Sequence, residues 1–222
     1  MEGVECLLIF IYGITNVFLE HVSGWGEAWT AQDLEHVAIT LLFMGGGLCG
    51  MMVESRVLST RQASEASLTL GESRTLIPGY SPNPVPAMIM FLLGTILSGH
   101  HQSTTESSMM HKWIGNFLAA ASITRSLTYL VLYIAPARSL LPSRPPSELV
   151  TSFCLMSGGL MLMASNSDTV DAMIENDLNA MLVATVIMSI TTVLMAWCCV
   201  LVAIQEWAQR REGVTKNRKD LD

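Results

Sequence analysis

Six long apolar stretches constrain what this chain can fold into. They lie near residues 4–21, 36–54, 85–102, 111–135, 148–166 and 178–206. At 1.5 Å per residue, each is long enough, or nearly so, to cross about 30 Å of hydrocarbon as a helix. None shows the alternation of apolar and polar residues that is typical of barrel strands. Backbone groups in lipid must be satisfied within the chain, so we predict an all-α fold, a polytopic transmembrane helical bundle with six spans.

Composition supports a membrane protein. Half of the 222 residues are apolar, only 14% are charged, and the mean hydropathy is +0.43. Soluble domains carry about 25% charged residues. We therefore expect one six-helix transmembrane domain over residues 1–207, followed by a charged cytoplasmic tail over residues 208–222 that is disordered. The expected partner is the lipid bilayer, and no nucleic acid is expected.

The basic residues predict the orientation of the bundle. Ten of the 12 Lys and Arg residues fall in loops or the tail on one side, Lys112 falls on the other, and Arg125 lies inside the fourth stretch. An excess of basic residues marks the cytoplasmic side, so both termini should be cytoplasmic, in an endomembrane or the plasma membrane. Glu2 and Glu5 stand where a signal peptide would carry Lys or Arg, so we interpret the first stretch as a retained span.

Two further features predict local structure. The connection 55–84 is rich in Ser, Thr, Gly and Pro, and we expect it to be an irregular, mobile cytoplasmic loop. The cysteines all lie within the apolar stretches without a Cys-x-x-Cys spacing, which predicts buried thiols that act as small apolar side chains. They are Cys6, Cys49, Cys154, Cys198 and Cys199.

All five histidines lie at those ends of the stretches that should meet on one side of the membrane. They are His21, His36, His100, His101 and His111. Adjacent spans run in opposite directions, so the ends of the first and third spans meet the starts of the second and fourth. Ionisable groups at membrane depth are costly, so such a cluster is a functional hypothesis by default. Glu20 and Glu35 directly precede His21 and His36, as carboxylates that bind a metal or orient a ligating imidazole do.

Helical spacing predicts which histidines face the bundle. In the second span a small and polar stripe runs through His36, Thr40, Phe43, Gly47, Gly50 and Glu54, and in the fourth through His111, Gly115, Ser122, Arg125 and Tyr129. Such stripes mark contacts between membrane helices. His101 aligns with Gly94 and Ser98, whereas His100 points about 100° away. The candidate metal ligands are therefore His21, His36, His101 and His111, with Glu20 and Glu35 as ligands or their hydrogen-bonding partners.

Arg125 needs a partner inside the membrane. We expect Glu54 or a backbone carbonyl to supply it, because unpaired charges there are costly. A structural ion pair that holds the helices in register is the main interpretation, and a proton or electron path through the bundle is the alternative. The glycines at positions 45, 46, 47 and 50 are expected to permit close helix packing.

A series of motifs carries a family resemblance across nearly the whole chain. They are Leu34-Glu35-His36, Ser98-Gly99-His100-His101-Gln102, Met110-His111-Lys112-Trp113, Arg125-Ser126-Leu127-Thr128-Tyr129, Gly158-Gly159, Ser165-Asn166-Ser167-Asp168-Thr169 and Met195-Ala196-Trp197. In these motifs the chain resembles the C-terminal domain of the fungal Ytp-one-like integral membrane proteins. The resemblance implies a multi-pass membrane protein, whose members usually carry a further N-terminal membrane region. It also suggests an activity through a loose similarity to membrane electron-transport proteins.

The histidine cluster leaves several functions open. Imidazole with carboxylate suits zinc, copper or iron, and two opposed histidines suit haem iron, so one hypothesis is a metal ion or haem for membrane redox or electron transfer. A second is a metal-dependent membrane hydrolase, with Asp168 as a further ligand. A third is a transporter or channel. The last is a scaffold whose histidines cap helices at the headgroup level. Whether the chain is an enzyme stays open, and catalytic residues stay unassigned.

Overall fold

A computed structural model describes residues 2–19, 26, 28–69, 83–99, 102, 104–134 and 146–219. Within these ranges the chain forms seven helices and no strand, which confirms the all-α prediction. The helices are α1 (Glu2–Leu19), α2 (Ala31–Thr69), α3 (Val85–Gly99), α4 (Thr105–Ile134), α5 (Pro146–Ala164), α6 (Ser167–Glu175) and α7 (Ala180–Lys219).

Within the described ranges, four segments are long and apolar enough to cross a membrane. They are Asp33–Arg56, Thr105–Ile134, Pro146–Ala164 and Ala180–Gln209, and α3 is a shorter apolar helix. Their outer surfaces are apolar too: Met181 and Trp197 of α7, for example, are 64% and 60% exposed. Outward apolar faces of this extent need lipid around them, so the chain is a multi-pass membrane protein.

Two helices extend beyond the limits that the sequence predicted. Residues 55–69, expected to be loop, belong to α2, and residues 209–219, expected to be disordered, belong to α7. Both predictions were wrong over these ranges. Ser, Thr, Arg, Glu and Gln can all continue a helix that is already nucleated, and neither segment contains a proline.

The short helix α6 was not predicted. Asn166 caps it, because its side-chain oxygen accepts a hydrogen bond from the backbone N–H of Thr169 at 2.9 Å. Val170 and Met173 of α6 are buried in the larger of two core clusters, which also contains Met110, Ile114, Met161, Ala180, Ala184 and Ile187. Spacing of three residues between Val170 and Met173 puts both on one face, so α6 is held by packing and by its cap.

Consecutive helices in the first half of the chain are antiparallel. Between α1 and α2, Asn16 bonds Thr40, and a Cβ at Gly47 would lie 2.6 Å from the backbone nitrogen of Phe10. In these contacts, higher residue numbers in α1 meet lower residue numbers in α2, so the two helices are antiparallel. The α2–α3 pair follows the same rule, since Gly46 meets Ile89 and Gly50 meets Val85.

The second half continues the alternation. Ser122 of α4 donates to the Ala87 carbonyl of α3 at 2.6 Å, and a Cβ at Gly94 of α3 would lie 2.7 Å from the backbone nitrogen of Ala119 of α4. Between α4 and α5, Thr124 bonds Thr151 and Thr128 bonds Ser147.

Glu106 of α4 accepts a hydrogen bond from the backbone N–H of Ala180 at 2.9 Å, which shows that the starts of α4 and α7 are neighbours. It follows that α2, α4 and α7 begin at the end of the bundle where α1, α3 and α5 finish. We call this the histidine end, since His36 and His111 lie there, and the opposite end, where α1 begins, the terminus end.

Candidate functional site

Two of the predicted ligands lie at the histidine end. His36 is in the second turn of α2 and His111 in the second turn of α4, and both side chains are half-buried. The Nδ1 atom of His111 lies 2.9 Å from the carbonyl oxygen of Ser107. A carbonyl can only accept, so Nδ1 carries the proton and the lone pair that could bind a metal is on Nε2.

Of the other residues in the predicted cluster, the structure describes only Glu35. His21, His100, His101 and Glu20 lie outside the described residues, and Glu35 of α2 has an exposed side chain. Among the described residues alone, no three His, Cys, Asp or Glu side chains are placed to hold a metal ion. The four-histidine arrangement therefore stays a prediction.

A buried polar contact fixes the part of α2 that carries His36. Thr40 is fully buried, donates its hydroxyl to the His36 carbonyl at 2.9 Å, and accepts from Nδ2 of Asn16 at 2.9 Å. The contact ties α1 to α2 one turn below the histidine. Asn16 was not singled out from the sequence, although a lone amide in an apolar stretch is the signal that could have identified it.

The predicted stripes on α2 and α4 do face the bundle. Thr40, Phe43, Gly47 and Gly50 are buried in α2, and Gly115, Ser122 and Tyr129 are buried in α4. The packing role of the glycines holds for Gly46, Gly47 and Gly50, whose added Cβ atoms would meet Ile89, Phe10 and Cys6. Gly45 is the exception, because a Cβ there would meet nothing within 4 Å.

The partner of Arg125 is Glu5, which corrects the prediction of Glu54 or a carbonyl. Nη2 of Arg125 donates to Oε1 of Glu5 at 2.7 Å and to Oε2 at 2.9 Å, and Nε donates to the Tyr129 hydroxyl at 3.0 Å. Glu54 instead has a buried Oε2 atom without a hydrogen-bond partner in the described part of the chain. The spacing along α2 indicated that Glu54 faces inward. It could not show that the carboxylate beside Arg125 comes from α1.

A second polar residue near the terminus end was also missed. Asn83 is fully buried, donates Nδ2 to the Gly50 carbonyl at 2.7 Å, and accepts from the backbone N–H of Val85 at 3.1 Å. It thus joins the start of α3 to α2. An Asn two residues before an apolar helix is an N-cap signal that the sequence contains.

A cavity of about 230 Å³ lies beside the Glu5–Arg125 pair. Its walls come from α1, α3, α4 and α5, and Thr151 is its third polar residue. Leu8, Met90 and Leu155 are among the apolar residues that line the rest. The arrangement is an apolar cleft with a compact polar group at one side, which is the usual composition of a small-molecule site.

The cysteines divide into two groups. Cys6 and Cys154 are buried as predicted, whereas Cys49, Cys198 and Cys199 are exposed on the outer surface of the bundle, and all five are free thiols. The prediction of buried thiols was wrong for these three. Apolar helices in a membrane expose apolar side chains to lipid, so an apolar residue in a span need not lie in the core.

Comparison with known proteins adds family relationships. Residues 1–206 match the family described as protein YTP1-like, C-terminal. The chain is 40% identical over 207 residues to the uncharacterized membrane protein YCR061W of Saccharomyces cerevisiae, an alignment that covers 93% of this chain and 33% of that protein. It is 36% identical over 216 residues to the uncharacterized membrane protein C3B8.06 of Schizosaccharomyces pombe, covering 95% and 42%.

A more distant relative is Protein YTP1 of Saccharomyces cerevisiae, 23% identical over 168 residues, which are 75% of this chain and 31% of that protein. The chain thus spans between about a third and two fifths of the length of the curated relatives that it matches. No solved structure matches it.

Proposed function

This chain belongs to the YTP1-like C-terminal family, and from that premise we propose that it is a six-span membrane domain that binds a metal ion or haem at its histidine end. The six spans are α1, α2, α3, α4, α5 and α7. The 18 residues of α1 give a helix of about 27 Å, close to the thickness of the hydrocarbon core. The partition of the basic residues supports cytoplasmic termini, with the histidine end facing the lumen or the exterior.

The observation that carries the proposal is the position of His36 and His111. They lie at equivalent depths in α2 and α4, two parallel helices that both pack against α3. His101 follows the end of α3 in the sequence, and His21 follows the end of α1. In the proposed site these four imidazoles are the ligands, and Glu20 and Glu35 bind the metal or orient an imidazole.

The chemistry of the donor set limits the bound group. Neutral imidazole with carboxylate binds zinc, copper or iron, and a pair of imidazoles binds haem iron. Copper or haem would support the membrane redox or electron-transfer role. Zinc has no redox chemistry, so it would point to a structural site or to the hydrolase alternative.

One observation favours a second candidate, a non-catalytic scaffold. Nδ1 of His111 bonds a carbonyl of its own helix, as an imidazole that only caps polar groups near the headgroups would. The transporter or channel alternative has no comparable contact in its favour among the described residues.

The deciding experiment uses the full chain purified in detergent. A visible spectrum detects haem by its Soret band, and mass spectrometry of bound elements detects zinc or copper. We expect a Soret band or about one metal ion per chain, as a single site of imidazole ligands would hold. A preparation that is folded by circular dichroism and negative in both measurements would contradict the metal proposal and favour the scaffold or the transporter.

A further inference from the structure

The cleft at the Glu5–Arg125 pair has the properties of a lipid site. We propose that it binds the head of an uncharged lipid that carries a hydroxyl group, with the tail running along α1 and α5. This site lies at the terminus end, away from the histidines, so the inference does not depend on the proposed metal.

The ion pair retains hydrogen-bonding capacity on both sides. Arg125 uses Nη2 for Glu5 and Nε for Tyr129, and within the described residues its other amino group, Nη1, takes no hydrogen-bond partner. Each Glu5 oxygen accepts one bond from Arg125, while a carboxylate can accept about four. The pair therefore offers a donor and an acceptor next to each other.

These groups are accessible from the cleft. The side chains of Arg125 and Glu5 are 23% and 37% exposed, and both line the cavity. The cleft beside them is lined mostly by apolar side chains, which offer these polar atoms no hydrogen bond, and each unsatisfied donor or acceptor is costly. A ligand that supplies both missing partners is therefore favoured at this position.

Charge complementarity selects the head group. The ion pair is neutral as a whole. An anionic head would be attracted by Arg125 but repelled by Glu5, and a cationic head would be attracted by Glu5 but repelled by Arg125. A hydroxyl group is neutral, accepts one hydrogen bond from Nη1, and donates one to a Glu5 oxygen. Carbonyl heads could use only the Arg125 donor and would leave the Glu5 acceptor unpaired.

The cavity is also oriented as a lipid requires. Glu5 is in the first turn of α1, at the end of the bundle where the headgroup layer begins. The apolar lining residues Leu8, Met90 and Leu155 lie further along α1, α3 and α5, and these three helices all run from the terminus end toward the bilayer centre. The head would thus lie near the membrane surface and the apolar part deeper.

The volume fits a head and its first few carbons. A dry cavity of about 150 Å³ accommodates a benzene ring, so about 230 Å³ is enough for a hydroxyl group with a ring or short chain. Leu8 is 60% exposed and Leu155 38% exposed, so the cleft is open beside them and the remaining tail can lie in the bilayer. A sterol and a diacylglycerol share this chemistry.

The test uses photoreactive probes with the full chain in phosphatidylcholine vesicles. Three probes, each with a diazirine and an alkyne, are compared: a sterol, a diacylglycerol and a fatty acid. We expect either hydroxyl lipid to label the peptides around Leu8 or Leu155 and to be displaced by its unlabelled form. Which of the two does so identifies the source of the head group.

Matched substitutions on α5 separate the cleft from general lipid contact. Leu155→Trp fills the cavity, whereas Leu162→Trp adds the same ring at a residue that is 48% exposed and does not line it. Labelling should be about tenfold weaker in the first variant, as expected when apolar contact and a hydrogen bond are lost, and unchanged in the second. Leu8→Trp, which fills the cleft from α1, replaces Leu155→Trp if that variant does not fold.

Three results would overturn the proposal. Stronger labelling by the fatty acid than by both hydroxyl lipids would show that the head is anionic. Equal labelling in the Leu155→Trp and Leu162→Trp proteins would show that the cleft is not the site. If excess unlabelled lipid does not displace the probe, the labelling is not specific, and only bulk lipid or water lies beside the ion pair.

Discussion

Glu5 and Arg125, 120 positions apart in the chain, are joined by two hydrogen bonds of 2.7 and 2.9 Å between α1 and α4. Both oxygens of the carboxylate are bound by one amino group of the guanidinium, so a single side chain of α4 holds the carboxylate of α1. Tyr129, one turn along α4, holds Nε of the same guanidinium. The two bonds to Glu5 connect α1 to α4, and the Tyr129 contact within α4 holds the guanidinium in place.

Loss of this pair should destabilise the bundle. We expect Glu5→Gln and Arg125→Met each to lower the free energy of unfolding, with a coupling of about 0.6–1.7 kcal/mol in the double-mutant cycle, since such cycles give values of this size for interhelical polar contacts in membranes. Helicity during titration with a denaturing detergent in mixed micelles measures it. Lys112→Met, which removes an exposed charge from the same helix, is the control. Additive effects of Glu5→Gln and Arg125→Met would mean that the ion pair contributes nothing.

Two glycines of α2 should respond in opposite ways to alanine. Gly47→Ala places a methyl group 2.6 Å from the backbone of Phe10, which cannot move aside alone, and should cost about 1–3 kcal/mol. Gly45→Ala meets nothing within 4 Å and should gain up to about 1 kcal/mol from its higher helix propensity. Thermal denaturation followed by circular dichroism compares the two. Equal melting temperatures would contradict the close approach of α1 and α2.

Glu106 should cap the first N–H group of α7, that of Ala180, while the side chain of Asn179 accepts from the N–H of Leu182. Glu106→Ala should cost about 1 kcal/mol, because the Ala180 N–H loses its acceptor and a negative charge leaves the positive end of the helix. Glu106→Gln keeps an acceptor oxygen and should cost less. Hydrogen exchange at the Ala180 amide, whose N–H bonds Glu106, gives a local measurement. Asp171→Ala, on the exposed side of α6, should leave that exchange unchanged; protection that survives Glu106→Ala would argue against the cap.

The proposed orientation predicts which loops can be glycosylated. An acceptor sequence on a flexible linker should be modified when inserted at residue 103 or after Asn176, because the proposed orientation puts the histidine end in the lumen. The same linker inserted at residue 76 should stay unmodified, since positively charged loops remain cytoplasmic. Mobility on gels before and after deglycosylation shows the result. The reverse pattern would show that the bundle has the opposite orientation in the membrane.

The proposed metal site ranks the substitutions at the histidine end. His36→Ala, His101→Ala and His111→Ala should abolish metal or haem binding, because each removes an inward ligand. Glu20→Gln and Glu35→Gln should weaken it by about tenfold to a hundredfold, as partners of ligands do.

His100→Ala is the control for this series and should retain most binding, because the helical spacing that the sequence predicts turns it away from the stripe. Bound metal per chain, or the Soret absorbance, measures each variant. Equal loss at His100 and His101 would mean that the helical phase is wrong there, and no loss at any position would remove the proposed site.

The sequence predicted well those features that depend on local periodicity. The spacing of Thr40, Phe43, Gly47 and Gly50 identified the inward face of α2, because a helix places residues three and four apart on one side whatever its neighbours are. Boundaries were less predictable. No local signal ends α2 before Thr69. Asn166 caps α6, but the chain contains other asparagines that could equally have capped a helix, so the sequence did not single it out.

The sequence by itself determined that this chain is an all-helical membrane protein, which faces of α2 and α4 are inward, and that His36 and His111 lie at the same end of the bundle. These follow from hydrophobicity and from the 3.6-residue period, both of which are properties of a single helix. Only the tertiary structure decided that Glu5, and not Glu54, pairs with Arg125, and that a cleft opens beside them. Both residues face inward on their own helices, and the choice between them depends on which helices are neighbours, a relationship that no spacing along one chain segment contains.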